Sequence, residues 1–288
     1  MRSGLYLPNQ GPFADAGLLA DLARDAERAG WEGLFIWDEL MPVYEHAMGR
    51  PKVDADPGDW LAAADAIVAL TAIAAATERI RFGALVTPVA RLRPEVFAHQ
   101  TATLDRFSGG RLIVGVGLGS PDSQFAAFGY HTDVRTRAAQ VDEFLALLVE
   151  LWSGAPVDFD GAYFKASGVT LTPTPVQQPR IPVWIGADSS RRAPRRRAAR
   201  WDGYAPASQQ WPTGVISPAE YREALEEIGS LRAGSGPYDA VVIGNADATV
   251  PSAADLEEYE EVGVTWHLVQ ALTADQARER IRRGPPSS

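Results

Sequence analysis

Short apolar runs alternate with amphipathic stretches along almost the whole chain, and the middle of the sequence shows the pattern best. Residues 80–86 are apolar and partly β-branched, as expected of a buried strand. Residues 97–107 repeat apolar positions at helical spacing, and residues 111–117 form a second apolar run after two glycines. Strand, helix and strand within about forty residues predict a βαβ unit with parallel strands.

The same alternation predicts eight strands, each followed by a helix. The predicted strands are 3–8, 33–38, 80–86, 111–117, 182–186, 201–204, 238–244 and 264–269. The predicted helices are 18–29, 60–76, 97–107, 134–152, 191–200, 218–231, 251–262 and 274–283. This number of units is typical of an α/β protein of the (β/α)8 TIM-barrel class, whose functional residues follow the C-terminal ends of the strands.

Two segments interrupt the alternation. Residues 153–180 read as a β-hairpin, with 157–160 and 163–165 joined by Gly161-Ala162, followed by a proline-rich stretch. We interpret this segment as an insertion in one barrel domain spanning 1–288. The connection 40–59 is long enough to predict a functional lid. Its apolar and aromatic candidates for a substrate pocket, with the residue that follows it, are Met41, Tyr44, His46, Met48 and Trp60.

Composition and charge exclude several classes of protein. With 27 Lys and Arg against 37 Asp and Glu, the net charge of −10 disfavours binding to nucleic acid or to an anionic membrane. The absence of cysteine excludes disulfides, thiolate metal sites and cysteine nucleophiles. The N-terminus does not resemble a signal peptide, and the longest apolar run is too short and polar to span a bilayer, so a cytoplasmic protein is expected.

Known hydrolase and metal motifs do not occur in the sequence. The four histidines are scattered, with neither an HxH after a strand nor an HExxH, so no metal site is predicted. The sequence also has no GxSxG, which argues against a serine hydrolase.

Three polar or glycine-rich segments are candidates for function. Asp38-Glu39 end the second predicted strand, where a barrel places catalytic groups, although a helix cap or surface ion pair would look the same. The glycine turn 115–119 is followed by Ser120, where the dinucleotide fingerprint GxGxxG would have its last glycine, so the match is only loose. No helix is expected directly after the turn. The turn is either a tight exit from a strand or a close approach of backbone to a planar ligand or phosphate.

The third segment, residues 186–190, opens a very basic helix. A helix N-terminus after a barrel strand suits an anion, because its free N–H groups point at the ligand. The arginines are also compatible with a solvated helix face. They are Arg191, Arg192, Arg195, Arg196, Arg197 and Arg200.

Several longer segments resemble the bacterial luciferase-like monooxygenases, and within that family the branch that uses the deazaflavin coenzyme F420. They cover nearly the whole chain in the family's order. The segments are GLYLPNQGPFAD, AGWEGLFIWDE, ATERIRFGALVTPVARLRPEVFAHQTATLDRFSGGRLIVGVGLG, LWSG, RIPVWIGADSS, ARWDGY and RERIRRGPP.

The resemblance implies a barrel that binds F420, or alternatively FMN, at the C-terminal mouth. It implies that Asp38 lies beside the cofactor ring, that Ala84-Leu85 is a non-prolyl cis peptide behind it, and that Thr87 is a polar contact. The implied phosphate loop comprises Gly186, Ala187, Asp188 and Ser189. Further implied cofactor contacts come from the glycine turn and the residues after it, namely Gly117, Ser120 and Ser123.

The sequence also departs from the family. Glu39 stands where deazaflavin-dependent sugar-phosphate dehydrogenases carry a histidine, and Ser120 stands where they carry a glutamate. Sugar-phosphate oxidation therefore loses support, and Glu39 becomes the candidate acid or base.

Three hypotheses for the function follow. The first is hydride transfer between F420 and an organic substrate. The second is an FMN-dependent monooxygenase that uses dioxygen and a partner flavin reductase. The third is a non-catalytic flavin-binding barrel. The family resemblance also makes a homodimer possible.

Overall fold

The computed structural model describes residues 1–40, 62–211, 213–234, 236–245, 251 and 253–286. The proposed lid residues Met41, Tyr44, His46, Met48 and Trp60 lie outside the described residues.

All eight predicted barrel strands are confirmed, with ends shifted by a few residues. In the described part of the chain the strands are β1 Arg2–Leu7, β2 Gly33–Ile36, β3 Arg81–Ala84, β4 Thr87–Pro88, β5 Val114–Gly117, β6 Val157–Asp160, β7 Lys165–Val169, β8 Val183–Asp188, β9 Gly203–Ala207, β10 Asp239–Ile243 and β11 Trp266–Gln270. Nine of them form one sheet, in the order β3-β2-β1-β11-β10-β9-β8-β5-β4. The strand pairs of this sheet are parallel, as the βαβ pattern predicted.

The helices return the chain along the outside of the sheet. Those described are α1 Ala16–Arg28, α2 Ala66–Ala76, α3 Pro94–Ser108, α4 Asp122–Ala127, α5 Val134–Trp152, α6 Arg192–Ala198, α7 Pro218–Leu231, α8 Ala253–Glu261 and α9 Ala274–Arg283. Side-chain caps fix several N-termini: Asp133 caps α5, Thr273 caps α9, and Ser217 forms a capping box with Glu220 on α7. No helix in the described ranges is long and apolar enough to cross a membrane.

The interior of the barrel is filled by large side chains. Phe35 stacks on Trp184 with ring centroids 5.1 Å apart and meets Trp266 edge-on at 5.7 Å. Asp239 accepts hydrogen bonds of 3.2 Å from the indole N–H groups of both tryptophans. The barrel is therefore a packed core without room for a ligand in its middle, and the end where the strands finish is where this fold places its functional groups.

The sheet closes on itself at a seam between β3 and β5. Phe82 pairs with Leu112, and Ile113 N–H donates to the Phe82 carbonyl at 2.9 Å. Gly83 allows this approach, because a Cβ there would clash with the Ile113 carbonyl oxygen.

Substituting Gly83 with alanine should therefore destabilise the protein by about 2–3 kcal/mol, because backbone at the seam cannot move aside as a side chain could. The matched control is Gly229→Ala in α7, where a Cβ meets nothing within 4 Å. That variant should gain roughly 0.5–1 kcal/mol from helix propensity. Urea unfolding measures both changes, and equal effects of the two substitutions would contradict the steric account of the seam.

The predicted insertion is confirmed as a separate antiparallel hairpin of β6 and β7. The expected two-residue turn is wrong, since Asp160 pairs with Lys165 and the connection spans the four residues between them. The Glu143 carboxylate accepts from the backbone N–H groups of Ala162, Tyr163 and Phe164. These contacts replace strand pairing and tie the hairpin to α5.

Candidate active site

A buried ion pair lies at the C-terminal mouth, where β2 and β4 end. The Arg91 guanidinium donates to Asp38 Oδ1 at 2.5 Å and to the Asp38 carbonyl at 2.9 Å. The two side chains are 8% and 15% exposed. Burial raises the pKa of Asp38, while Arg91 and a hydrogen bond from the Thr87 side chain oppose that rise. The structure thus brings the predicted Asp38 and Thr87 together and adds Arg91 as their partner.

Glu39 is held beside this pair by both its backbone and its side chain. The Asn9 amide donates to the Glu39 carbonyl at 2.9 Å and accepts from its N–H at 3.1 Å. Gln124 Nε2 donates to Glu39 Oε2 at 2.6 Å. Burial raises the pKa of Glu39 to about 7, against the opposing effects of Gln124 and Arg91. Near neutral pH the carboxyl can therefore either donate or accept a proton.

The non-prolyl cis peptide is present, but the expected position at Ala84-Leu85 is wrong by one bond. The cis bond joins Leu85 to Val86. Ala84 is the last residue of β3, and Leu85 N–H still donates to the Ile36 carbonyl at 2.8 Å. The hydrogen-bond ladder between β2 and β3 therefore continues as far as the N–H of Leu85, and the cis bond follows it. Tyr6 Oη donates to the Leu85 carbonyl at 2.5 Å, and burial raises the pKa of this hydroxyl, which keeps it a donor.

Val86 explains two glycines that the family resemblance assigned to cofactor binding. A Cβ on Gly117 would clash with one methyl group of Val86, and a Cβ on Gly186 would clash with the other. The structure therefore gives both glycines a packing role: they make room for Val86 in the segment Leu85-Val86 that contains the cis bond, which we call the bulge. Contact of these glycines with a cofactor stays a prediction.

Gly186→Ala should lose about 1–3 kcal/mol of stability, because the new methyl group and Val86 compete for one space. Val86→Ala should remove most of that loss in the double variant, since it clears the space. A thermodynamic cycle from urea unfolding of the four proteins measures the coupling. Additive effects would show that Val86 is not the reason for glycine at 186.

The predicted phosphate loop is largely engaged within the protein. Gly186 and Ala187 pair with β9, and Ser189 N–H donates to the Ala207 carbonyl at 3.0 Å. Asp188 Oδ1 accepts from the N–H and the hydroxyl of Ser190 at 3.0 and 2.8 Å.

The arginines of the basic segment divide into two groups. Arg195 pairs with Glu223 and Glu227, while Arg197 and Arg200 share Asp142. Arg191, Arg192 and Arg196 are exposed, and Arg191 forms a weak ion pair with Asp188 at 3.8 Å. Only this second group keeps the character of an anion-binding surface.

The segment after the glycine turn differs from its prediction. The short helix α4 begins at Asp122, although no helix was expected there. Ser120 and Ser123 are exposed, whereas Gln124 is buried and reaches Glu39. Ser123 and Gln124 are consecutive residues of α4, so their side chains point in different directions. Without knowledge of this helix, the sequence could not show which of the two faces Glu39.

Gln270 is a site residue that the sequence analysis missed. It ends β11, and its side chain is completely buried. Among the described residues, neither atom of its amide has a hydrogen-bond partner, and the same is true of the buried indole nitrogen of Trp37. Buried polar groups without partners are rare in folded proteins, so these atoms fit a ligand that brings its own donors and acceptors. A polar residue ending an apolar strand was the available sequence signal.

These features define the chain as a (β/α)8-barrel protein with a cluster of buried polar side chains at the C-terminal mouth. The family model for luciferase-like monooxygenases matches residues 1–282, and the chain belongs to that family. The family resemblance seen in the sequence is thereby confirmed.

Two curated relatives are named F420-dependent glucose-6-phosphate dehydrogenases. That of Nakamurella multipartita is 32% identical over 216 residues, which are 73% of this chain and 58% of the relative. That of Kineococcus radiotolerans is 33% identical over 172 residues, which are 59% of this chain and 47% of the relative. The chain thus spans about half the length of the curated relatives it matches.

Solved structures establish the fold. An F420-dependent secondary alcohol dehydrogenase in complex with an F420-acetone adduct has a TM-score of 0.74 at 15% identity, over 99% of this chain and 98% of its own. The F420-dependent tetrahydromethanopterin reductase of Methanopyrus kandleri has a TM-score of 0.71 at 18% identity, over 96% of each chain. The predicted TIM barrel of the luciferase-like type is confirmed.

Proposed function

We propose that this protein is an oxidoreductase that moves a hydride between coenzyme F420 and an organic substrate at the barrel mouth. The observation that carries the proposal is Glu39, a half-buried carboxyl with a pKa raised to about 7 beside the Asp38–Arg91 pair. A group of this kind is suited to general acid–base chemistry. The names of the two curated relatives support F420 as the cofactor.

When bound, the deazaflavin supplies the ring carbon that exchanges the hydride. The protein positions the reacting groups and handles the proton. Tyr6 fixes the Leu85 carbonyl and with it the bulge at the barrel mouth. Glu39 accepts the hydroxyl proton of an alcohol substrate in the oxidative direction and returns it to the carbonyl oxygen in the reductive direction. Gln124 orients the Glu39 carboxyl for this transfer.

The remaining predicted contacts complete the proposed cofactor site. Thr87 and Asp38 line it near the bulge, and Ser120 and Ser123 lie at its rim. The segment from Gly186 to Ser189 approaches the coenzyme's phosphate. The exposed Arg191, Arg192 and Arg196 meet its acidic tail, an interaction that added salt should weaken.

We propose an uncharged alcohol or carbonyl compound as the substrate rather than a sugar phosphate. The relatives are named for glucose 6-phosphate, but Glu39 and Ser120 replace the histidine and glutamate of that class. Glu39 also adds an acidic group next to Asp38, which disfavours a dianionic substrate. One hydride with one proton at Glu39 balances the interconversion of an alcohol and a carbonyl.

The test is titration of the purified protein with F420 and with FMN, followed by fluorescence or calorimetry at low and moderate salt. Tight, salt-sensitive binding of F420 alone supports the proposal. Turnover of secondary alcohols but not glucose 6-phosphate would then support the substrate class. Preference for FMN would contradict the proposal in favour of a monooxygenase with a partner reductase. Binding of neither cofactor would overturn both. The homodimer and the cytoplasmic location stay predictions.

A further inference from the structure

Gln270 faces the interior of the barrel at the level of the bulge. Along β11, Trp266 and Leu268 belong to the interior cluster, and alternate residues of a strand share one face. Ala271 N–H donates to the Tyr6 carbonyl at 3.0 Å, so the ladder is regular to the end of the strand. Gln270 is the register partner of Tyr6, whose hydroxyl holds the Leu85 carbonyl. Its amide therefore belongs to the mouth.

No hydrogen bond between described residues uses this amide. The side chain is 0% exposed, yet in the part of the chain that the structure describes neither its nitrogen nor its oxygen has a partner. Gln177 shows the ordinary arrangement, donating to Asp105 Oδ1 at 2.7 Å and to the Leu112 carbonyl at 2.8 Å. Its oxygen accepts from Arg81 at 2.9 Å. Burial without such partners is a cost that a bound ligand can remove.

A carboxamide presents one donor and one acceptor side by side in a plane. Its complement is an adjacent N–H and C=O in a planar ring, as in a lactam or imide. The pyrimidinedione edge of both deazaflavins and flavins has this pattern. Tyr6 pairs with Gln270 and also holds the bulge, so a ring bound against the bulge would have the Gln270 strand beside it.

We propose that Gln270 binds the imide edge of the cofactor ring through two hydrogen bonds, one from its amide nitrogen and one to its amide oxygen. This inference rests on the proposed function, and it specifies in addition which edge of the cofactor ring faces β11. Both F420 and FMN carry the edge, so Gln270 recognises the ring class and does not choose between them.

The first test compares Gln270→Met with the wild-type protein. Methionine has a similar length and volume but offers no amide. The variant should bind F420 or FMN, whichever the wild-type protein binds, at least about tenfold more weakly, as expected for the loss of a hydrogen-bond pair. Without cofactor it should melt roughly 2–4 °C higher, because an unpaired buried amide has been removed.

Gln177→Met is the matched control. It removes an amide that is fully paired, away from the mouth, so this variant should melt lower and bind cofactor normally. Opposite signs of the two melting shifts distinguish a ligand-binding amide from a structural one. Equal destabilisation by the two substitutions would overturn the inference.

The second test needs no variant. Methylation of ring N3 removes the imide N–H, so N3-methylated flavin and deazaflavin should bind the wild-type protein about tenfold more weakly than the parent compounds. Gln270→Met should show no such difference. If the parent cofactor binds and neither change affects its affinity, this inference fails while the proposed function stands. If neither F420 nor FMN binds the wild-type protein, both fail together.

Discussion

Arg91→Met should cost about 3–5 kcal/mol of unfolding free energy, the largest stability effect expected from one substitution at the mouth. The variant leaves Asp38 buried without the cation that it contacts through both side chain and backbone. Without Arg91, burial raises the pKa of Asp38 further above its unfolded value. A group with a raised pKa loses stability as pH increases, so the deficit should be smallest near pH 4 and grow toward neutral pH.

Urea unfolding at several pH values measures this effect. Asp38→Asn in the Arg91→Met background should recover part of the loss, because it removes the charge that has been left alone. Arg93→Met is the control, since its ion pair with Glu95 is 69% and 50% exposed and should contribute less than about 1 kcal/mol. A deficit from Arg91→Met as small as that of the control would contradict the buried pair.

Glu39→Gln should lower turnover by about two orders of magnitude or more, because it removes the proposed proton carrier and keeps its shape. In the wild-type protein the pH profile of kcat/KM should show an inflection near 7, matching the pKa of Glu39. The substitution should remove that inflection. Gln124→Met should instead move it to higher pH, because the Gln124 hydrogen bond lowers the pKa of Glu39.

Stability offers an independent check on Glu39. The folded protein holds this proton more tightly than the unfolded chain, so its contribution is complete below about pH 4.5 and disappears as pH rises through about 7. The wild-type protein should lose roughly 2 kcal/mol across that range relative to Glu39→Gln, after allowance for partial exposure. Parallel pH curves for the two proteins would contradict the raised pKa.

The sequence predicted the barrel well because local pattern determines most of it. Each buried parallel strand is a short apolar run, and each helix carries one apolar face, so both are visible in a window of ten residues. The bounds of α5, α7 and α9 agree with their predictions to the residue. A polar N-cap residue precedes each of the three helices, and this residue type marks the first helical residue in the sequence.

The site was only partly predictable because its chemistry depends on distant partners. Asp38 was visible as a polar strand end, but Arg91 lies 53 residues away in sequence. The basic segment looked uniform, although Arg195 and Arg197 are buried in ion pairs while the other four arginines are exposed. The same holds for Gln270, which stands out only because the described residues leave its buried amide without a hydrogen-bond partner. Pattern identifies residue types at strand ends, whereas packing decides which of them face each other.

The seam between β3 and β5 links the integrity of the site to local opening of the barrel. The chain runs from Phe82, at the seam, directly into the Leu85 carbonyl that Tyr6 holds. Separation of this one junction would free one edge of β3, the strand that leads into the bulge, while the ladders of β1 and β11 stayed paired. In hydrogen–deuterium exchange, the amides of Phe82 and Ile113, which bond across the seam, should therefore exchange together and faster than those of β1. A ligand bound at the mouth should slow both, so the same junction would set the lifetime of the bound complex.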